Sequence, residues 1–350
     1  MATEVRFNLL SSLTDVSGVP GYEDRIRELV RDELEQATDR VETDAMGNIV
    51  GTLEGDSDFE VLIAAHMDEI GFMVSDIKDG FLKLDPLGGW DPRILKAQRV
   101  TVHTEDDDLL GVIGTPPAHT LDEEELKKTP KIDDLFVDLG LEEDAVEERV
   151  ALGDLVTLAQ RLARMGDLVT GKALDDRICV YAMLEAAHLI EAPEVTIHFA
   201  ATVQEEVGLR GARALGVDID PDLAIALDVT IADDVPSGSN GGGSITELGE
   251  GAAIKLKDAS VITSPKVNRR LRSIADEHKI THQLEILPSG GTDTAAFQVV
   301  AGATPVGAIS VPTRYLHTPV EAAHEADVGA VIDLLVAFLE SEDGSHEYTL

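Results

Sequence analysis

Apolar positions fall into two rhythms along this chain. Near the N-terminus Leu9, Leu10 and Leu13 precede a turn at SGVPGYE, and Ile26, Leu29, Val30 and Leu34 then recur at helical spacing. Four dense apolar runs read as buried strands: EVLIAA (60–65), EVTIHFAATV (194–203), LAIAL (223–227) and VGAISV (306–311). Between or after them lie predicted helices at RICVYAMLEAAHLIE, at KVNRRLRSIADEH, and at DVGAVIDLLVAFLE, which reads as amphipathic. The closing SEDGSHEYTL reads as frayed. Strands mixed with helices predict an α/β layer fold with a covered sheet.

Residues 73–165 break this rhythm. Short alternating stretches such as RVTVHT and LLGVIG, frequent turns and an acidic piece from His119 to Glu148 suit a small β-barrel-like domain inserted in a larger one made of 1–72 and 166–350. The glycine triplet at 241–243 lacks the following Lys-Ser/Thr of a phosphate-cradling loop.

Composition changes the picture through charge. Hydrophobic residues make up 43% of the 350, enough for a large core, yet 67 acidic residues face 28 basic ones, for a net charge of −39. Such a surface repels phosphate backbones and anionic lipid, so nucleic-acid and membrane partners are disfavoured. Lysine (11) is scarcer than arginine (17). An acidic, lysine-poor chain resembles a halophile's protein, whose self-repulsion is screened by salt. The single Cys179 excludes an intrachain disulfide and a thiolate metal cluster. No basic-then-apolar leader pattern opens the chain, and no apolar run nears the ~18 residues of a membrane span, so a cytoplasmic location is expected.

The chemistry follows the strands. EVLIAA runs into His66-Met67-Asp68-Glu69, EVTIHFAATV leads through Gln204 to Glu205-Glu206, LAIAL meets Asp228, and VGAISV is followed by Arg314-Tyr315 and His317. Ligand-binding groups gather at the carboxyl ends of strands in α/β sheets. Asp175-Asp176 adds an acidic pair at a helix entrance. Singly, each has an ordinary reading: either aspartate as a helix N-cap, Glu205-Glu206 as a solvated loop, His66 or His317 as a satisfied histidine. Together they put an acid or histidine after every major strand. Two imidazoles and three carboxylates suit Zn²⁺ or Co²⁺, and also Mn²⁺ or Fe²⁺. Three carboxylates are too many for one such ion but reasonable for two, bridged at roughly 3.5–4 Å as in two-metal hydrolases. Asp68 is placed to hold the second nitrogen of His66, and the spare acid of the glutamate pair becomes the general base.

The runs AAHMDEIGF, GKALDDR, TVQEEVGLRGA, LAIALDVT, PSGGTDTAAF and VPTRYLHTPVE, in this order across nearly the whole chain, resemble the TET-type cocatalytic metallo-aminopeptidases. That resemblance implies a mixed-sheet zinc-peptidase-like domain carrying an inserted dimerisation barrel. It also implies release of N-terminal residues from short peptides, and dimers closing into a tetrahedral dodecamer. It gives His66, Asp175 and Asp228 to one metal and Asp175, Glu206 and His317 to the other. Asp175, or else its neighbour Asp176, would bridge, with a cis peptide between the two, and Glu205 would activate a metal-held water. Some relatives carry an endoglucanase label, but adjacent glutamates beside two histidines suit metal hydrolysis better than a glycosidase's separated carboxylates. Thr292 or Asp293 reads as a helix N-cap or as lining of the substrate pocket. Arg314 and Tyr315 read as substrate contacts or as an ion pair and packing.

Overall fold

The computed structural model describes residues 3–236, 244–300 and 303–349, so the glycine triplet at 241–243 lies outside the described residues. The four dense apolar runs become adjacent strands of one mixed sheet: Thr196–Thr202, Glu60–His66, Leu223–Ile231 and Val306–Arg314, each parallel to its neighbour. Their near-total burial explains why they read as continuous apolar runs and not as alternation. Antiparallel strands extend the sheet on both sides, among them Ile49–Leu53 and Glu321–His324.

Helix Leu174–Leu189 packs at the centre of the larger core and is apolar around most of its circumference, so it is buried almost throughout. The C-terminal helix Glu325–Glu340 departs from the amphipathic expectation. It is covered by Leu174–Leu189, Pro265–His278 and the sheet, and most of its side chains are buried. The tail is also not frayed. Tyr348 is buried, its ring 6.5 Å from that of Phe59, and its hydroxyl donates to Glu342 at 2.6 Å.

The inserted region forms a closed antiparallel barrel of six strands, Gly71–Lys78, Phe81–Leu87, Val137–Asp138, Asp108–Ile113, Arg99–His103 and Leu155–Leu158. It encloses its own core, with Phe72, Val100, Val102, Val137 and Val156 fully buried. Its strands run from Gly71 to Leu158, not from 73 to 165. Phe72 points into the barrel core, whereas Leu162 joins the larger core and Ala163–Met165 pairs within the main sheet. No helix among the described residues is long and apolar enough to cross a membrane.

Candidate metal centre

Parallel pairing brings the strand-end residues together. Thr202 pairs with His66 in register, Ala226 pairs with Ala64 two residues upstream, and Asp228 pairs with Ser310. His66, Glu205, Glu206, Asp228 and His317 therefore meet at one edge, and the entrance of helix Leu174–Leu189 delivers Asp175 from the side. Neither aspartate there acts as a helix cap. Asp175 and Asp176 have non-helical backbone, the peptide between them is cis, and Ala173 holds the N-cap position.

Asp175 is central: one carboxylate oxygen lies 3.1 Å from His66 Nε2 and the other 3.4 Å from His317 Nε2. Glu206 comes within 3.7 Å of His317 Nε2, and Glu205 within 4.0 Å of His66 Nε2. Two groups, His66–Asp176–Asp228 and His66–Asp175–Glu206, each place their donor atoms within 4.8 Å of one another. Asp176 belongs to the back wall, accepting from the His66 backbone N–H at 3.3 Å, while its other oxygen has no partner.

Electrostatics make the cluster ill at ease without cations. Burial pushes Glu205 and Asp228 well above the usual carboxylate range, and burial with the adjacent Asp175 charge brings Glu206 to about 7. Burial opposes the ionised form of Asp175 too, but hydrogen bonds from His317 and His66 outweigh it and hold that carboxyl low. Burial disfavours the charged histidines, yet their contacts with Asp175 prevail, raising His66 strongly and His317 to about 10. Protons thus stand where oxygen- and nitrogen-seeking divalent cations would neutralise the same groups, so the donor set fits first-row ions.

The surroundings hold these donors in place. Asp68 accepts from the backbone N–H of Glu205 at 3.0 Å and of Glu206 at 3.1 Å, while its carbonyl lies 3.2 Å from His66 Nδ1. The Asp68 carboxylate thus fastens the glutamate pair, and its backbone oxygen is the nearer acceptor for the imidazole. Four non-glycine residues beside the donors, Ala173, Gln204, Tyr315 and His317, sit at φ between 55° and 61°. Left-handed backbone costs on the order of 1–3 kcal/mol per residue, and such strain clusters at functional sites.

Two holding residues escaped the sequence reading. Buried Glu321 accepts from the Asp175 N–H at 3.0 Å and the His317 N–H at 2.9 Å, one with each oxygen. Buried Glu23 accepts from the N–H groups of Gly21 and Gln204. The only sequence signal for Glu321 is its place four residues after His317, and Glu23 sits in a turn without any strand-end pattern.

The pocket candidates divide. Thr292 lines a cleft of about 320 Å³ together with Asp175, Asp228 and His317. Asp293 occupies the N-cap position of helix Thr294–Val299 without capping it; its carboxylate instead accepts from Thr202 Oγ1 at 2.5 Å. Arg314 is taken up by Asp234 in a two-pronged pair at 2.7 and 2.6 Å, and Tyr315 is about half exposed.

Residues 47–334 match the model of the M42 glutamyl aminopeptidase family. A lysyl aminopeptidase of Pyrococcus furiosus is 38% identical, covering 96% of this chain and 97% of its own. The structure of an aminopeptidase from Desulfurococcus kamchatkensis superposes with a TM-score of 0.91 at 38% identity, covering 96% of this chain and 94% of that one. Pyrococcus horikoshii TET1 peptidase, which can assemble into a tetrahedron or a large octahedral shell, gives 0.86 at 34% identity, covering 96% and 99%. The chain is therefore a metallo-aminopeptidase and belongs to the M42 glutamyl aminopeptidase family.

Proposed function

We propose that this aminopeptidase works with two metal ions and removes residues one at a time from short peptides, with Glu205 as general base. The observation that carries this reading is Asp175, whose two oxygens each approach a different histidine. In it, His66, Asp175 and Asp228 hold one ion, and Asp175, Glu206 and His317 hold the other. Zn²⁺ or Co²⁺ suits these donors first, Mn²⁺ or Fe²⁺ next. Bound there, two divalent ions would polarise the scissile carbonyl and acidify the hydrolytic water.

The chain's own residues do the rest. Glu205 takes a proton from water as a base and, once protonated, gives it as an acid to the departing amine. Asp68 fixes the backbone that carries Glu205 and Glu206, and Glu321 fixes Asp175 and His317. Apart from the donors, the cleft is lined by residues such as Val229, Ile231, Leu287, Ser289, Thr292 and Leu316, none of them charged. That lining favours a neutral N-terminal side chain over the acidic or basic ones in the names of the family and of the Pyrococcus furiosus relative.

The deciding experiment is hydrolysis of free and N-blocked peptides of graded length in high salt, with chelator and with restored Co²⁺ or Zn²⁺. Stepwise loss of single N-terminal residues, abolished by chelator and rescued by metal, is expected. Cleavage that survives complete metal removal, or attack on N-blocked peptides, would overturn the reading.

The barrel is the expected pairing surface of a dimer, and a tetrahedral dodecamer is the expected assembly, in line with the TET1 peptidase's ability to assemble into a tetrahedron. With a net charge of −39, that assembly should loosen when salt falls from molar to millimolar and screening lengthens from ~3 Å to ~30 Å or more. Sedimentation showing an unchanged particle, with multivalent cations excluded, would refute the salt dependence.

A further inference from the structure

The barrel reaches the metal centre at one place. Strand Phe81–Leu87 leaves the barrel beside Gly71, with which Leu87 is paired, and turns at Gly88-Gly89 directly against the site. The Gly89 carbonyl lies 2.9 Å from His317 Nδ1. A carbonyl can only accept, so Nδ1 keeps its proton, and Nε2, which faces Asp175 and Glu206, is the nitrogen that a metal ion would take. A methyl group on Gly89 would sit 3.2 Å from that same Nδ1. Gly88 has φ +87°, and a Cβ there would meet Ile70 at 2.4 Å and Glu206 at 3.4 Å. Gly89 is thus held tightly against His317, whereas Gly88 is required by its positive φ and by Ile70, with Glu206 at ordinary contact distance.

Trp90, the chain's single tryptophan, fastens this turn to the barrel. Its indole N–H donates to the Gly71 carbonyl at 3.0 Å, and its ring stacks on Phe72 of the barrel core at 4.7 Å between centroids. His66 has no such link. Its Nδ1 faces the Asp68 carbonyl, two residues along its own turn.

We propose that Gly88-Gly89-Trp90 is a positioning element through which the inserted barrel sets the geometry of the His317–Glu206 half of the centre alone. It rests on the two-metal reading above. Residues that orient a ligand imidazole typically change metal affinity about 10–100-fold when replaced. Disturbing the turn should therefore weaken one of two bound ions by that factor and leave the other as it was.

The test is metal retention per chain during chelator competition, read by elemental analysis, for the intact protein, Trp90→Phe and Gly89→Ala. Trp90→Phe keeps an aromatic ring on Phe72 while removing the N–H donor and part of the ring system, so it remains informative if Gly89→Ala fails to fold. Expected are two equivalents in the parent and one selectively weakened equivalent in Trp90→Phe, with kcat falling more than KM rises. Trp90 emission in the parent should respond as the weaker equivalent fills. Equal weakening of both equivalents, or retention unchanged in both variants, would overturn the inference. A parent chain that never binds more than one equivalent would refute the two-metal reading itself, and this inference with it.

Discussion

The two histidines of the centre are held in different ways. The His66 side chain is 2% exposed, at the end of a central parallel strand, and its second nitrogen is served from its own turn. The His317 side chain is 40% exposed, on a left-handed loop residue, and its second nitrogen is served by a carbonyl 228 positions away. One wall of the site is thus dictated by the sheet itself, through register and burial. The other depends on how two separately packed cores meet. A site with a rigid buried wall and an exposed, contact-held wall has its open side toward solvent, where a peptide's N-terminus must enter.

The change that separates chemistry from this holding is Glu205→Gln. It leaves the backbone bonds from Asp68 in place on both walls, yet removes the proton acceptor. Turnover should fall about 10²- to 10⁴-fold with metal content unchanged. If turnover stays near normal, Glu205 is not the base. If metal is lost as well, Glu205 belongs to the holding apparatus and the two walls are not separable.

The buried wall can be probed from behind through Glu23, which anchors Gln204 just ahead of the glutamate pair. Burial, the largest cause, raises its carboxyl to about 7. The unfolded chain releases this proton near pH 4.3, so between there and pH 7 the folded state holds a proton that the unfolded state has lost. Stability from this group is therefore full below about pH 4 and declines as pH rises toward 7, by on the order of 3 kcal/mol. Both backbone donors use the same oxygen, Oε1, so Glu23→Gln keeps both bonds and removes the titration. Unfolding in denaturant at pH 5 and pH 8, in high salt, should show the parent losing stability relative to the variant. Parallel behaviour would mean that Glu23 ionises without penalty.

How much was legible in the sequence tracks the same division. The four buried strands announced themselves as dense apolar runs, and the donors stood at their ends, so parallel pairing alone assembled His66, Glu206 and Asp228. The barrel was visible as a change of rhythm, but its edges shifted because Phe72 and Leu162 are both apolar and only packing decides which core takes each. The cap reading of Asp175 failed because two histidines claim its carboxylate, whereas Asp293 does stand at the N-cap position but gives its carboxylate to Thr202. Arg314 was undetermined until its partner Asp234, 80 positions upstream, came into contact. The supports from Glu321, Glu23 and Gly89 depend on backbone N–H and C=O groups, which every residue carries and no side-chain pattern marks.

Glu321 is where the two walls can be shown to be joined. Its oxygens divide between the Asp175 N–H and the His317 N–H, so it fixes the shared carboxylate with one and the exposed histidine with the other. In Glu321→Gln the amide keeps a single acceptor oxygen, and its NH₂ confronts whichever backbone N–H is left. Because Asp175 serves both imidazoles, both metal equivalents should weaken, each by about 10–100-fold, in the same chelator competition in which Trp90→Phe weakens only one. Glu321→Asp retains two acceptors on a shorter arm and should fall between the two. If Glu321→Gln instead releases a single equivalent, Asp175 does not depend on this clamp, and the buried wall holds the shared carboxylate by itself.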